Sequence, residues 1–296
     1  MNPKNILLGA LLVVAVAYVI FWMRLARGQR HEGTGSSTLH LAIGFVTNFF
    51  DTLGIGSFAT TTSLYRLWKL VPDQKIPGTL NVGHAAPTFV QAFIFITIVQ
   101  VEVQTLVLLI VASVVGAWLG ASVVSQLPRR QIQRGMGISL LAAAGLMVMT
   151  ALDLLPGGGE ALALTSGKLI LAIGITFVLG ALMTLGIGAY APIMIMVSLL
   201  GMNPTAAFPI MMGACAFLMP AASIQFIRKE KYDLRAAVGL AIGGAPAVVI
   251  AALIVRSLPL AYLRWLVVVV VLYAAITLLR ASLAAAPVSQ KPAAAS

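Results

Sequence analysis

Asp51 most constrains what this chain can do. It lies in Asn48-Phe-Phe-Asp51-Thr52-Leu-Gly54-Ile-Gly56-Ser57, in the middle of an apolar stretch spanning about 39–64. An ionised carboxylate in hydrocarbon costs several kcal/mol, so it must pair, face water or take up a proton. In that setting it would couple a proton to another event or gate one. Asp and Asn also cap interrupted helices by accepting free amides, and the sequence leaves both roles open. His84, in Pro77-Gly-Thr79-Leu-Asn81-Val-Gly-His84-Ala-Ala-Pro87-Thr88, can titrate near neutrality and contact an anion. The other reading is a buried neutral histidine bonded to backbone freed by Pro87. His31 and His40 are expected at a helix edge, in the interface.

A second apolar stretch, 168–199, carries Met183-Thr184-Leu-Gly186-Ile-Gly188-Ala-Tyr190-Ala-Pro192. Paired glycines with polar neighbours weaken a helix, and Pro192 removes an amide donor. Where a helix restarts after a break, its first amides lack internal partners and lie at the positive end of its dipole. Two such ends brought together would hold an anion without a buried arginine, and neither stretch contains one between its glycines. Close helix packing is the other use of such glycines. The predicted substrate-binding set is Asn48, Asp51, Thr52, Gly54, Gly56, Ser57, Asn81, His84, Thr184, Gly186, Gly188 and Tyr190. Asp51 and His84 correspond to Met183 and Ala214 in the repeat described below, so that set is asymmetric.

Other chemistries find no support. Three scattered histidines make no metal site. Cys215 is the single cysteine and reads as a small buried hydrophobe, since no basic or imidazole neighbour would activate it. The methionines and phenylalanines read as packing. With no paired carboxylates and no nucleotide loop, neither an enzyme nor a cofactor is expected.

The elements that must position these residues are membrane helices. Of 296 residues, 60% are hydrophobic and only 9% charged, against about 25% charged in soluble domains. The mean hydropathy is +1.02. That excludes a soluble enzyme and a nucleic-acid partner, and the net charge of +11 reads as membrane topology. Spans of about 20 apolar residues fall near 5–23, 39–64, 77–99, 104–126, 132–152, 168–199, 204–226, 235–255 and 262–280. The first keeps its arginines after the apolar run, as an uncleaved anchor and not a signal peptide does.

Thr52-Leu-Gly-Ile-Gly56 recurs as Thr184-Leu-Gly-Ile-Gly188, and Leu127-Pro128 as Leu258-Pro259. The chain therefore divides into an anchor and loop (1–38), a first repeat (39–152), an external linker (153–167), a second repeat (168–280) and a cytoplasmic tail (281–296). If all nine spans cross, Lys and Arg divide 10 to 9 between the two sides. If the two glycine-broken spans enter and return on one side, they divide 15 to 4, the bias expected of short cytoplasmic loops. The expected fold is all-α: an N-terminal helix plus two inverted repeats, each with a re-entrant or broken helix and three full crossings. The N-terminus would be external and the C-terminus cytoplasmic.

Over roughly 39–280 the chain resembles the TauE/SafE family of membrane permeases, also called the sulfite exporter or 4-toluene sulfonate uptake family. Members open each half with a Gly-x-Gly-Gly-Gly-like break followed by proline. The cognate stretches here are Gly54-Ile-Gly56-Ser57-Phe-Ala-Thr60 and Gly186-Ile-Gly188-Ala-Tyr190-Ala-Pro192. Both lack the later glycines, and Thr60 stands at the proline's place, as in a divergent subgroup. Gly120 before Leu127-Pro128, and Gly243-Gly244 before Leu258-Pro259, look like the family's close of each half. The resemblance implies secondary transport of a sulfur oxyanion or organosulfonate across the cell inner membrane. An anion-selective channel and a non-transporting scaffold subunit are the alternatives. Expected partners are the small anion and the lipid bilayer; a coupling proton or ion and a homodimer stay open.

Overall fold

The computed structural model describes residues 3–26, 37–53, 55–154, 158–186, 190–254 and 260–284. Among them every regular element is helical, apart from one isolated bridge between Ala161 and Met202. The helices are α1 (Pro3–Ala26), α2 (Ser37–Thr52), α3 (Ser57–Leu67), α4 (Ile76–Ile98), α5 (Val103–Val124) and α6 (Arg129–Ala151). They continue with α7 (Ser166–Met183), α8 (Tyr190–Leu199), α9 (Ala207–Arg228), α10 (Leu234–Ile254) and α11 (Leu260–Ala284). Each glycine-rich stretch falls between two helices, one between α2 and α3 and the other between α7 and α8.

Seven of the described helices are long and apolar enough to cross a membrane: α1, α4, α5, α6, α7, α9 and α10. The set differs from the expected one. The first arm of the second break, α7, reaches crossing length, while the described part of α11 qualifies only as a shorter apolar helix, Val271–Leu283. Large apolar side chains such as Val13, Val111, Ile170 and Leu253 lie exposed on the outside. Water would not tolerate such a surface. The protein is a multi-pass, all-helical membrane protein.

Each broken segment folds back on itself. The ring of Tyr65, near the end of α3, lies 5.8 Å from that of His40, near the start of α2. Likewise Lys168, at the start of α7, donates to the carbonyl of Leu200, just beyond α8, at 2.9 Å.

Two pairs of helices, α4 with α9 and α6 with α11, pack antiparallel. Phe95 near the end of α4 stacks on Phe208 at the start of α9, with centroids 5.0 Å apart. At the other end of the pair, Gly78 faces Phe226 and Lys231. In the same way Arg130, starting α6, donates to the carbonyl of Ser282, near the end of α11, at 2.8 Å. The first arm of each hairpin packs on the opposite half: α2 on α10 and α7 on α5. Glycines make both seams, Gly44, Gly239, Gly243 and Gly244 in the first and Gly116, Gly120 and Gly180 in the second. A Cβ at each would collide with the facing helix, so the small residues permit close approach.

The two ends of the bundle differ in charge. One gathers Arg66, Asp73, Arg129 and Gln133, together with Lys229 on Ser125 at 2.9 Å and the Asp233 amide on Thr79 at 2.9 Å. The other holds Lys4 on the Thr97 carbonyl and Glu102, whose carboxylate caps α5 by accepting the amides of Gln104 and Thr105. Burial works to raise the pKa of Glu102, but those amides outweigh it and hold it below the usual value.

Candidate functional site

The first break is closed by Asp51. Gly56, the residue before α3, has φ 90° and offers no side-chain cap. Asp51 Oδ1 instead accepts the Ser57 amide across the break at 2.6 Å, and Oδ2 accepts from Gln91 Nε2 at 2.8 Å. The capping role of Asp51 is therefore realised. The first amide of α3, which the sequence reading left for a solute, is already occupied. Gln91 also reaches Thr52 Oγ1 at 3.1 Å, while its own Oε1 is buried without a hydrogen-bond partner.

Behind this cap, His84 bridges the hairpin. Its Nδ1 lies 3.0 Å from Asn48 Oδ1 on α2, and its Nε2 lies 3.0 Å from Thr61 Oγ1 on α3. Asn48 Nδ2 donates to the Gly44 carbonyl at 2.8 Å, so Asn48 Oδ1 must accept. That assigns the proton to His84 Nδ1 and leaves Nε2 to accept from Thr61. The expected bonding of His84 to backbone freed by Pro87 is replaced by two side-chain partners. Its peptide carbonyl is taken by Thr88 Oγ1 at 2.7 Å.

Asp51, Gly56, Ser57, Thr88 and Gln91 line one side of a cavity of about 30 Å³. The other side is sulfur-rich, formed by Met183 at the second hairpin and by Met211, Met212, Cys215 and Met219 on α9. Cys215 Sγ lies 3.6 Å from Met183 Sδ. This space is on the scale of one water molecule, so a polyatomic solute requires the walls to part. Gly186, with φ 99°, lies beside Leu80 of α4 and Thr62 of α3, which a Cβ there would meet at ordinary contact distance. The buried hydroxyl of Thr62 has no hydrogen-bond partner there.

The predicted set is thus divided. Asp51, Gly56 and Ser57 line the cavity, Thr52 stands behind Gln91, and Asn48 and His84 form the layer beneath. Asn81 is buried on α4, its Nδ2 on the Pro77 carbonyl at 2.9 Å, and is not among the lining residues. Thr184 turns away: its hydroxyl donates to the Ala181 carbonyl at 2.7 Å and lies against Gly120 of α5. Gly54, Gly188 and the side chain of Tyr190 lie outside the described residues, as does His31. The interfacial expectation for His40 is corrected: it is fully buried, because α3 returns over it.

The sequence reading missed Thr61, Thr62, Thr88 and Gln91, and took the methionines as packing alone. A signal existed for two of them. Thr88 and Gln91 follow His84 by four and seven residues, which places all three on one helical face.

Among the described residues no group of His, Cys, Asp and Glu could hold a metal ion. Neither a curated protein nor a solved structure matches the chain. Residues 3–147 match the sequence profile of the family described as Sulfite exporter TauE/SafE. The match takes in α1, which the sequence reading set outside its resemblance, and stops within α6. Over residues 3–147 the chain belongs to the sulfite exporter TauE/SafE family.

Proposed function

We propose that the protein is a secondary transporter of a small anion, a sulfur oxyanion or an organosulfonate, working by exchange between two inverted halves. Family membership makes the chain a transport-type membrane protein and not an enzyme; substrate and mechanism are our reading. The observation that carries it is the cavity at Asp51, Ser57 and Met183, closed on its other side by Met211, Cys215 and Met219 of α9; in this reading it is where two folded-back hairpins of inverted halves approach each other. Irregular backbone at membrane depth is tolerated only where it is buried in protein or lines a polar cavity. Inverted repeats around discontinuous helices are a recurrent transporter design. In this reading 39–152 and 168–280 are the repeats, α2–α3 and α7–α8 are re-entrant, and the end rich in Lys and Arg faces the cytoplasm with the C-terminus.

The cap suggests how a proton enters the cycle. An anion drawn to the Ser57 amide would approach the Asp51 carboxylate. Two unit charges 4 Å apart repel by about 4 kcal/mol at an effective dielectric of 20. Protonation of Asp51 removes that repulsion. Gln91 can accommodate it by turning its amide, so that the unpartnered Oε1 accepts from the new acid proton. Anion and proton would then occupy the site together. A closed cavity at the hairpin tips also favours alternating access over an open channel.

Purified protein in sealed vesicles, tested with sulfite, sulfoacetate, thiosulfate and sulfate under separately controlled pH and potential, decides the matter. Saturable flux with competition between labelled and unlabelled solute is expected. Fast flux without competition would establish a channel, and no flux of any of the four would leave a scaffold.

A further inference from the structure

A second polar site lies at the basic end of the bundle, at the opposite end of α3 from the first break. The turn after α3 folds back so that the carboxylate of Asp73, 3% exposed, is held from three directions. Arg66, in the last turn of α3, places one nitrogen, Nη1, 2.8 Å from both carboxylate oxygens. Gln133 Nε2 donates to Oδ2 at 2.7 Å, and Arg129 Nη2 stands 3.5 Å from the same oxygen, both from the start of α6. Beside them opens a cavity of about 380 Å³ lined by Tyr65, Arg66, Lys69, Val71, Asp73 and Arg129, among others. Two guanidinium groups, those of Arg66 and Arg129, meet a single carboxylate beside it.

Two features show that Asp73 does not exhaust this site. It engages a single nitrogen of Arg66, where a planar or tetrahedral oxyanion would take the two-nitrogen fork that gives guanidinium its strongest contacts. Arg129 is 61% exposed, with its distance to Asp73 at the long limit of an ion pair, so it can turn to a ligand from solvent without unfolding anything. The excess positive charge in a partly enclosed space raises the local concentration of anions.

We propose that this cavity is an oxyanion-binding site, for a sulfate- or phosphate-like group, in which the bound anion competes with Asp73 for Arg66 and Arg129. Occupancy leaves the Gln133–Asp73 hydrogen bond as the tie between the turn after α3 and α6, because the Arg129 contact to Asp73 is given up to the anion. The proposal goes beyond the transport reading and stands without it. The group can arrive as a free ion or as the phosphate of an anionic lipid at the membrane surface.

The test is calorimetric titration of inorganic sulfate into the full chain in nanodiscs of neutral phosphatidylcholine, with ionic strength held constant by chloride. Saturable binding is expected, weakened roughly tenfold in Arg129→Ala and tightened roughly tenfold in Asp73→Asn, which removes the internal competitor. The Arg129 variant alone suffices should Asp73→Asn fail to fold. A parallel titration in discs containing phosphatidylglycerol separates the sources: displacement of sulfate there assigns the site to a lipid phosphate, and unchanged binding assigns it to a free ion. No saturable binding in either disc, or equal binding by wild type and Arg129→Ala, overturns the proposal.

Discussion

His84 Nδ1 and Asn48 Oδ1 lie 3.0 Å apart with both residues fully buried, and through Thr61 the same imidazole reaches the other arm of the hairpin. One side chain on α4 therefore fixes the spacing of α2 and α3. His84→Ala strands two buried polar groups and leaves a void. It is expected to destabilise the protein by about 2–4 kcal/mol, combining an unmet hydrogen-bonding group with a cavity. Thermal unfolding in detergent should show the loss together with reduced transport. An unchanged melting temperature would contradict the bridging role.

Asp51→Asn keeps an oxygen for the Ser57 amide but discards the charge. Folding should be nearly unaffected, while Asp51→Ala should lose about 1 kcal/mol with the cap. Transport by Asp51→Asn is expected to continue without response to an imposed pH difference at fixed potential. A wild-type response to the pH gradient would remove Asp51 from coupling.

At Gly56 the demand is conformational. A Cβ there meets nothing within 4 Å, but φ is 90°, a region L-residues occupy only at a cost of about 1–3 kcal/mol. Gly56→Ala should therefore lower both the melting temperature and transport, although it adds no clash. Equal stability to wild type would mean that the break tolerates another backbone path.

Gly244 presents the opposite case. A Cβ there would strike Asn48 Nδ2 and the ring of Pro87, so Gly244→Ala should cost about 1–3 kcal/mol through overpacking. Gly174, exposed on α7 with open space around it, is the control. Gly174→Ala is expected to be neutral or stabilising by up to about 1 kcal/mol. Equal melting temperatures for the two variants would refute the close approach of α2 to α10.

Much of the helix plan is readable along the chain. Long apolar runs bounded by short polar loops mark the helices because hydrocarbon thickness fixes the number of residues needed to cross it. The two Thr-Leu-Gly-Ile-Gly stretches mark the places where α2 gives way to α3 and α7 to α8, since glycine weakens a helix wherever it stands. The grouping of Lys and Arg likewise follows from loop composition. Such features are local, and a one-dimensional string carries them.

Which face of each helix points inward is settled only by packing. A helix apolar all round has no stripe to betray its buried side, so nothing in Thr184 announces that it faces α5 while Met183, one residue earlier, faces the cavity. Nor could spacing pair Asp51 with Gln91, 40 positions away, or bring Asp73 to Gln133, 60 positions away. Those meetings depend on α4 packing beside the α2–α3 hairpin and on the turn after α3 reaching the start of α6. In lipid, close packing and hydrogen bonding choose the neighbours because apolarity alone cannot distinguish protein from solvent. Apolar runs and glycine placement set the helices and their breaks; the chemistry around the breaks comes from packing.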